Sequence, residues 1–182
     1  MEENYTQDNV RSRLLFSGLK ELEEHGVSDF SLRRVAQDAG VSCAAPYRHF
    51  KDKDELISAV ISFVLEGWTL LSDQIREIFS EDSKTLLVEL AVAGLRFWIA
   101  NGNFRTVIAV SATLEDKPMK EFDRPIADAA ERYAAEKCID DPQLVVFKLL
   151  STLYGAVILV DGGYEESEKA ADDLRSILIA EL

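Results

Sequence analysis

Cysteine, proline and glycine are all scarce in this chain of 182 residues. The two cysteines, Cys43 and Cys138, lie far apart, which excludes a disulfide framework and a cysteine metal site of regular spacing. Only 4 prolines and 9 glycines interrupt the chain, and apolar residues recur mostly at spacings of three and four. This periodicity is typical of helices that bury one face, so the sequence predicts an all-α protein.

Motifs for catalysis and for metal binding are also lacking. The chain has two histidines, His25 and His49, and it contains no HExxH, Walker loop, GxSxG or CxxC sequence. Paired carboxylates such as Glu23-Glu24 are better explained as solvated faces or helix caps than as acid–base pairs. We therefore predict that the protein is not an enzyme, with no catalytic residues, no metal site and no cofactor.

Signals for export or membrane insertion are weak. The N-terminus MEENYTQDN is acidic and polar, unlike a signal peptide. The longest apolar region, near 144–160, contains Lys148 and several hydroxyl groups, so we do not expect it to span a membrane. A cytoplasmic, reducing location is the resulting expectation.

Charge is unevenly distributed. The formal net charge of −13 is unfavourable for binding nucleic acid. Residues 31–53, however, contain two carboxylates and five cationic side chains, namely Arg33, Arg34, Arg48, Lys51 and Lys53. A polyanionic partner explains this local excess, although chance variation on a solvated surface explains it as well.

About nine helices follow from the apolar periodicity and from the capping signals. The first covers about 5–25 and ends at Gly26, and the second begins at the cap Ser31 and runs to about Ala39. Ser42 is a candidate cap for the third helix, but a later start would place Pro46 in the first turn, where its missing N–H costs little.

The fourth helix begins at a capping box, Asp52 to Glu55, and extends to about Phe79. Asp141-Pro142 is a helix start in which a cap precedes a proline. Later helices are predicted over about 84–100, about 104–114, a segment through Lys137 that starts or kinks near Pro125, 142–160 and 165–181.

A short helix, a turn at Gly40 and a second short helix form the unit that places a recognition helix in the major groove of DNA. The segment at about residues 8–58 resembles the DNA-binding domain of the TetR family of bacterial transcriptional repressors. The positions that carry the resemblance are His25-Gly26, Ser31, Val35-Ala36, Ala39-Gly40-Val41-Ser42, Tyr47, His49-Phe50, Lys53 and Leu56.

The resemblance implies a DNA-binding role for nine residues: Arg33, Ser42, Cys43, Ala44, Ala45, Tyr47, Arg48, His49 and Lys53. Of these, Tyr47, His49 and Lys53 are expected to hold the phosphate backbone. The chain departs from the family pattern at Cys43, where a longer polar or basic residue is frequent, and at Glu21, where the family usually has an apolar residue.

The resemblance further implies an N-terminal three-helix DNA-binding domain over 1–52, joined by a long helix to a helical effector-binding and dimerisation domain over 53–182. Seven aromatic residues are candidates for a ligand pocket or for an ordinary core: Phe63, Trp68, Phe97, Trp98, Phe104, Phe122 and Tyr154. The few basic residues among them favour an apolar or weakly polar ligand.

The helix over 142–160 is apolar nearly all round, which one chain cannot easily cover. We therefore predict a homodimer built by the last two helices, with an interface that includes Leu144, Phe147, Tyr154, Ile158, Leu174, Ile177 and Leu178.

The predicted function is a ligand-responsive homodimeric repressor that binds a palindromic operator in double-stranded DNA and is released by a small, largely apolar molecule. Two alternatives remain open at this point. One is a helical protein-interaction module without a DNA target, and the other is a DNA-binding regulator without a small effector.

Overall fold

All regular structure in the described part of the chain is helical. The computed structural model describes residues 2–101 and 118–182, so the predicted helix over 104–114 and Phe104 lie outside the described residues. Within these ranges eight helices occur, which confirms the predicted all-α class. They are α1 (Glu2–His25), α2 (Leu32–Asp38), α3 (Pro46–His49), α4 (Lys53–Ile78), α5 (Ser83–Ala100), α6 (Pro118–Glu136), α7 (Pro142–Asp161) and α8 (Ser167–Glu181).

The chain forms two compact units, which divide inside α4 between Leu65 and Glu66. The predicted boundary between Asp52 and Lys53 lies at the start of the same helix. The N-terminal unit contains α1, α2, α3 and the first half of α4, and the C-terminal unit contains the remaining described helices.

A continuous apolar core fills the N-terminal unit. Helix α1 packs against α2 and α3, and the ring of Phe16 on α1 meets that of Phe63 on α4 at 5.0 Å between centroids. The buried side chains that share this core include Leu14, Leu15, Leu22, Phe30, Val35, Ala36, Phe50, Leu56, Ile57, Val60 and Ile61. The short helices α2 and α3 depend on this packing, because isolated helices of this length are unstable in water.

Most of the predicted helix caps and helix ends of the N-terminal unit are observed. Gly26 takes a φ of 66°, the left-handed conformation expected after a helix, and its N–H donates to the carbonyl of Leu22 at 2.9 Å. The Ser31 hydroxyl accepts from the N–H of Arg34 at the start of α2. Asp52 accepts from the N–H of Glu55 at 3.0 Å, whereas the Glu55 carboxylate reaches back to the N–H of Lys51 instead of to that of Asp52.

Helix α3 corrects one expectation. Ser42 is not its cap, because the helix begins at Pro46 and its N-cap residue, Ala45, makes no side-chain capping bond. Residues 42–45 form a turn closed by a 2.8 Å hydrogen bond from the N–H of Ala45 to the carbonyl of Ser42. Pro46 thus occupies the first helical position, where the missing N–H would have no partner in any case.

Helix α5 packs against α7 and α8 in the C-terminal unit. Asp82 caps α5 by accepting from the N–H of Thr85 at 3.0 Å, and Asp141 caps α7 as predicted, accepting from Leu144 at 3.2 Å. A start or a kink near Pro125 was expected for helix α6. The helix begins at Pro118 and contains Pro125, so the expected start is wrong, whereas the kink stays a prediction.

Among the helices of residues 2–101 and 118–182, α4 and α7 are long and apolar enough to cross a membrane by length and composition alone. Their most apolar windows have mean hydropathies of 1.4 and 1.9, and 44% and 17% of these windows is buried in the structure. Helix α7 is therefore the more exposed of the two, and its exposed residues are described below.

Candidate functional sites

The outer surface of α2 and α3 presents three long side chains to solvent. Arg33 on α2 and Arg48 on α3 are exposed, and Tyr47 is 62% exposed. Neither arginine forms an ion pair with any residue that the structure describes. Because an unpaired guanidinium group donates in a fixed fork that suits phosphate and guanine, this surface is suited to bind a polyanion.

The turn between the two helices is also accessible. Gly40 takes a φ of 63°, a left-handed conformation that favours glycine over residues with a side chain. Ser42, Cys43 and Ala44 are exposed, whereas Ala45 is half-buried. These short side chains allow the backbone of a partner to approach closely.

His49 and Lys53 have a different environment from the exposed residues. His49 is half-buried, and its ring lies 6.3 Å from that of the buried Phe50. The Lys53 ammonium group donates to the carbonyl oxygen of Val27 at 2.6 Å. Lys53 therefore has an intramolecular partner, although an ammonium group has two further hydrogens to donate.

A buried carboxylate, Glu21, lies behind α2 and was not predicted as a functional residue. Its side chain is 5% exposed and accepts from the N–H of Ser31 at 2.9 Å and from Nε of Arg34 at 2.8 Å. Burial by itself raises the pKa of the Glu21 carboxyl, but the hydrogen bonds from Arg34 and Ser31 outweigh it, and the pKa lies below its ordinary value.

The sequence did indicate that Glu21 is buried. Glu21 lies seven residues after Leu14 and next to Leu22, so helical periodicity places it on the buried face of α1. A charge on such a face requires a charged or hydrogen-bonding partner, which the exposed Arg34 supplies. A polar groove of about 500 Å³ borders this contact and is lined in part by Ser17, Glu24 and Gln37.

The predicted pocket aromatics form a packed cluster in the C-terminal unit. Trp68 and Phe122 are fully buried, with ring centroids 4.9 Å apart, and Nε1 of Trp68 donates to the carbonyl of Phe122 at 2.9 Å. Trp98 lies 5.6 Å from Phe122, and Phe97 lies 5.5 Å from Trp68. Phe63 does not join them, because its ring packs on α1 in the N-terminal unit.

Tyr154 forms the polar edge of this cluster. Its ring lies 5.7 Å from that of Trp98, and its hydroxyl donates to the carboxylate of Asp123. Burial raises the pKa of Asp123, against the opposing effect of the Tyr154 hydrogen bond. Burial also raises the pKa of Tyr154, with the Asp123 contact acting in the same direction. The aromatic core thus borders one half-buried acid and one half-buried hydroxyl.

An apolar stripe runs along the exposed side of α7. Leu144, Phe147 and Ile158 are 61%, 69% and 67% exposed and share one helical face. Ile177 on α8 is 43% exposed.

Leu174 and Leu178, which were also predicted at the dimer interface, do not belong to this stripe. They are only 1% and 2% exposed because they face the core of their own unit.

Comparison with known proteins identifies the N-terminal segment. Residues 14–60 match the sequence model of the bacterial regulatory proteins of the tetR family. The N-terminal segment is therefore similar in sequence to the DNA-binding part of that family. A helix-turn-helix-type transcriptional regulator of Staphylococcus aureus is 32% identical over 80 residues, which cover 44% of this chain and 43% of that protein. The match thus spans less than half of the length of this curated relative.

Solved structures of TetR-family proteins show the same fold over nearly the whole chain. A TetR transcription regulator from Haloarcula marismortui has a TM-score of 0.72 at 19% identity and covers 95% of this chain and 96% of that chain. FadR from Bacillus subtilis, solved in complex with stearoyl-CoA, has a TM-score of 0.70 at 15% identity, with coverage of 94% and 98%. The relatives named here are regulators, in agreement with the prediction that the chain is not an enzyme.

Proposed function

We propose that the protein is a ligand-responsive, homodimeric transcriptional repressor that acts in the cytoplasm on a palindromic operator. The observation that carries this proposal is the exposed set Arg33, Tyr47 and Arg48 on a helix-turn-helix of the TetR family. In functional terms, residues 1–52 would bind DNA, and residues 53–182 would bind the effector and the second subunit.

Recognition of DNA would begin with α3 and the preceding turn in the major groove. Arg33 and Arg48 supply charge and donors for phosphate or guanine, and the Tyr47 hydroxyl donates to a phosphate oxygen. The short exposed residues Ser42, Cys43 and Ala44 permit close approach. His49 and Lys53 would act nearer the periphery, Lys53 with the hydrogens that its bond to Val27 leaves available.

A homodimer would cover the apolar stripe of α7. The stripe is hydrophobic, and a symmetric pair would bury it twice. Lys148 on the same helix pairs with Glu181 on α8 at 2.8 Å, so the polar surroundings of the stripe favour a protein partner over lipid. Two such subunits would present their recognition helices one turn of DNA apart, about 34–36 Å.

The effector would bind at the Tyr154 edge of the aromatic cluster. Trp68 and Phe122 are too buried to contact a ligand without rearrangement, whereas Tyr154 and Asp123 are half-buried. An apolar molecule with one hydrogen-bonding group fits this environment, and FadR, which has a similar fold, was solved in complex with stearoyl-CoA. Such a ligand releases DNA only if it binds the two conformational states with different affinity.

Salt-dependent binding to duplex DNA tests the proposal. We expect wild-type protein to bind a duplex selected from a random library, with an affinity that falls steeply as salt rises. Arg48→Ala should reduce the slope of log affinity against log salt by about 0.9 if Arg48 neutralises one phosphate. Tyr47→Ala should weaken binding across sequences and leave the slope unchanged, because tyrosine is neutral. Arg124→Ala, which removes an exposed arginine of α6, serves as the matched control.

The two alternatives predict other outcomes in the same assay. A protein-interaction module would show no salt-dependent DNA binding by the wild type. A regulator without an effector would bind DNA, but stearoyl-CoA and shorter acyl-CoAs would fail to release it. Arg124→Ala behaving like Arg48→Ala would show that general charge, not the α2–α3 surface, determines binding.

A further inference from the structure

Glu21 on α1 lies behind α2 and is unusual there, because it is charged and nearly completely buried. Its carboxylate contacts two residues at the start of the next helix, α2. It accepts from the backbone N–H of Ser31, the cap residue of α2, and from the guanidinium group of Arg34, whose Nη2 lies 2.5 Å away. The same guanidinium group also donates to the carbonyl of Asp29. One side chain on α1 therefore fixes the start of α2.

The far end of α2 is attached to α1 as well. The Lys20 ammonium group donates to the Asp38 carboxylate at 2.5 Å, and the Arg13 guanidinium donates to the carbonyl of Ala39, the C-cap residue. Between these ends, Val35 and Ala36 pack in the core. Of the two ion pairs, only that of Glu21 and Arg34 has a carboxylate shielded from water, since Lys20 and Asp38 are both exposed. An ion pair with one buried partner is screened less by salt than one with two exposed partners.

The position of α2 determines where Arg33 points. A helix of seven residues has little stability of its own, so its contacts set its orientation. Consecutive helical residues project about 100° apart, so Arg34 can be held on α1 while Arg33 remains exposed. A change in the start of α2 would move Arg33 without removing any of the positive charge on the surface.

We propose that Glu21 is a positioning residue for sequence recognition, acting through Ser31 and Arg34 to set the placement of Arg33 on DNA. This inference rests on the proposed DNA-binding function. It differs from a purely structural role in one measurable respect. Loss of positioning impairs the discrimination between DNA sequences, whereas partial unfolding lowers binding to all DNA equally.

The test compares two duplexes, one selected by the wild-type protein from a random library and one of scrambled sequence. Glu21→Gln keeps an acceptor for Ser31 but loses the charge that holds Arg34. We expect the affinity ratio between the two duplexes to fall about tenfold, the size of one lost base contact. Binding to the scrambled duplex and its salt slope should not change, because Arg33 and Arg48 remain.

Glu24→Gln is the matched control, since it removes an exposed carboxylate from the same helix, and its ratio should equal that of the wild type. Arg34→Lys provides a second variant that keeps the charge but loses the two-point contact with Glu21, and it should lower the ratio in the same way. If Glu21→Gln does not fold, the affinity ratio of Arg34→Lys tests the inference instead.

An unchanged ratio in a folded Glu21→Gln or Arg34→Lys protein, or an equal loss on both duplexes, overturns the inference. The absence of DNA binding by the wild type is a separate result, which would instead refute the proposed function.

Discussion

Replacement of Phe147 by aspartate should dissociate the proposed dimer. Phe147 lies in the apolar stripe of α7, between Leu144 and Ile158, and 69% of its surface is exposed in the single chain. In a symmetric dimer this side chain is buried twice, once from each subunit. Aspartate would remove the apolar area and place two carboxylates in the interface.

The size of the effect follows from this exposure. Complete burial of a phenylalanine side chain stabilises by about 1.5–3 kcal/mol. Because 69% of the Phe147 surface remains to be covered, each copy should contribute about 1–2 kcal/mol to association, and the two copies together about 2–4 kcal/mol. At 1.4 kcal/mol for each factor of ten, the dissociation constant should rise roughly 30- to 700-fold.

Sedimentation velocity over a range of concentrations measures this change. Ile78→Asp is the control, because Ile78 on α4 is 71% exposed and lies outside the stripe, so its dissociation constant should stay within about twofold of the wild type. A wild-type protein that is monomeric at micromolar concentration would refute the dimer itself. A wild-type dimer that Phe147→Asp leaves intact would show that subunits meet through another surface.

Two further predictions concern stability. Because the pKa of Glu21 is lowered in the folded protein, the unfolded chain takes up a proton first as the pH falls below about 4.3; urea denaturation should therefore show a loss of stability in this range that is smaller in Glu21→Gln. An identical pH dependence of the two proteins would contradict this. Trp68→Phe should lower the free energy of unfolding by about 2 kcal/mol, since it removes a buried hydrogen bond to Phe122 and some core volume. The melting temperature should then fall by roughly 4–8 °C, and an unaltered melting temperature would show that the contact has no net value.

Local signals in the sequence were sufficient for much of the fold. Gly26, Ser31 and Asp141 mark helix ends through backbone geometry and short-range hydrogen bonds, which depend on a few neighbouring residues. Asp52 caps α4 for the same reason, although the reciprocal bond of Glu55 goes to Lys51. Features of this kind are encoded locally and are therefore predictable.

The errors concern contacts between distant segments. Periodicity indicates that Leu174 and Leu178 lie on an apolar face, but it does not say whether the face meets its own chain or another, and both are buried internally. In the same way, an aromatic side chain such as Phe63 does not reveal its partner, which is Phe16. Ser42 had the right chemistry for a cap, but the helix begins at Pro46, where the fixed φ of proline favours the first turn.

For the α2–α3 surface, the sequence predicted the exposed side chains but not the contacts that hold α2 in place. Arg33, Tyr47 and Arg48 are accessible, as a binding role requires. The contact of Glu21 with Arg34 spans thirteen residues and depends on the packing of α1 on α2, so no local pattern specifies it. The assignment of individual residues to DNA remains a prediction.

The exposed turn before α3 has an evolutionary consequence. Ser42, Cys43 and Ala44 face solvent, while Pro46 and Phe50 hold the following helix in the core. Substitutions at exposed positions usually change stability by less than about 0.5 kcal/mol. Under the proposed function, variation at these three positions would alter which DNA sequence is preferred while folding is preserved, so that duplicated copies of such a gene could acquire new targets by single mutations.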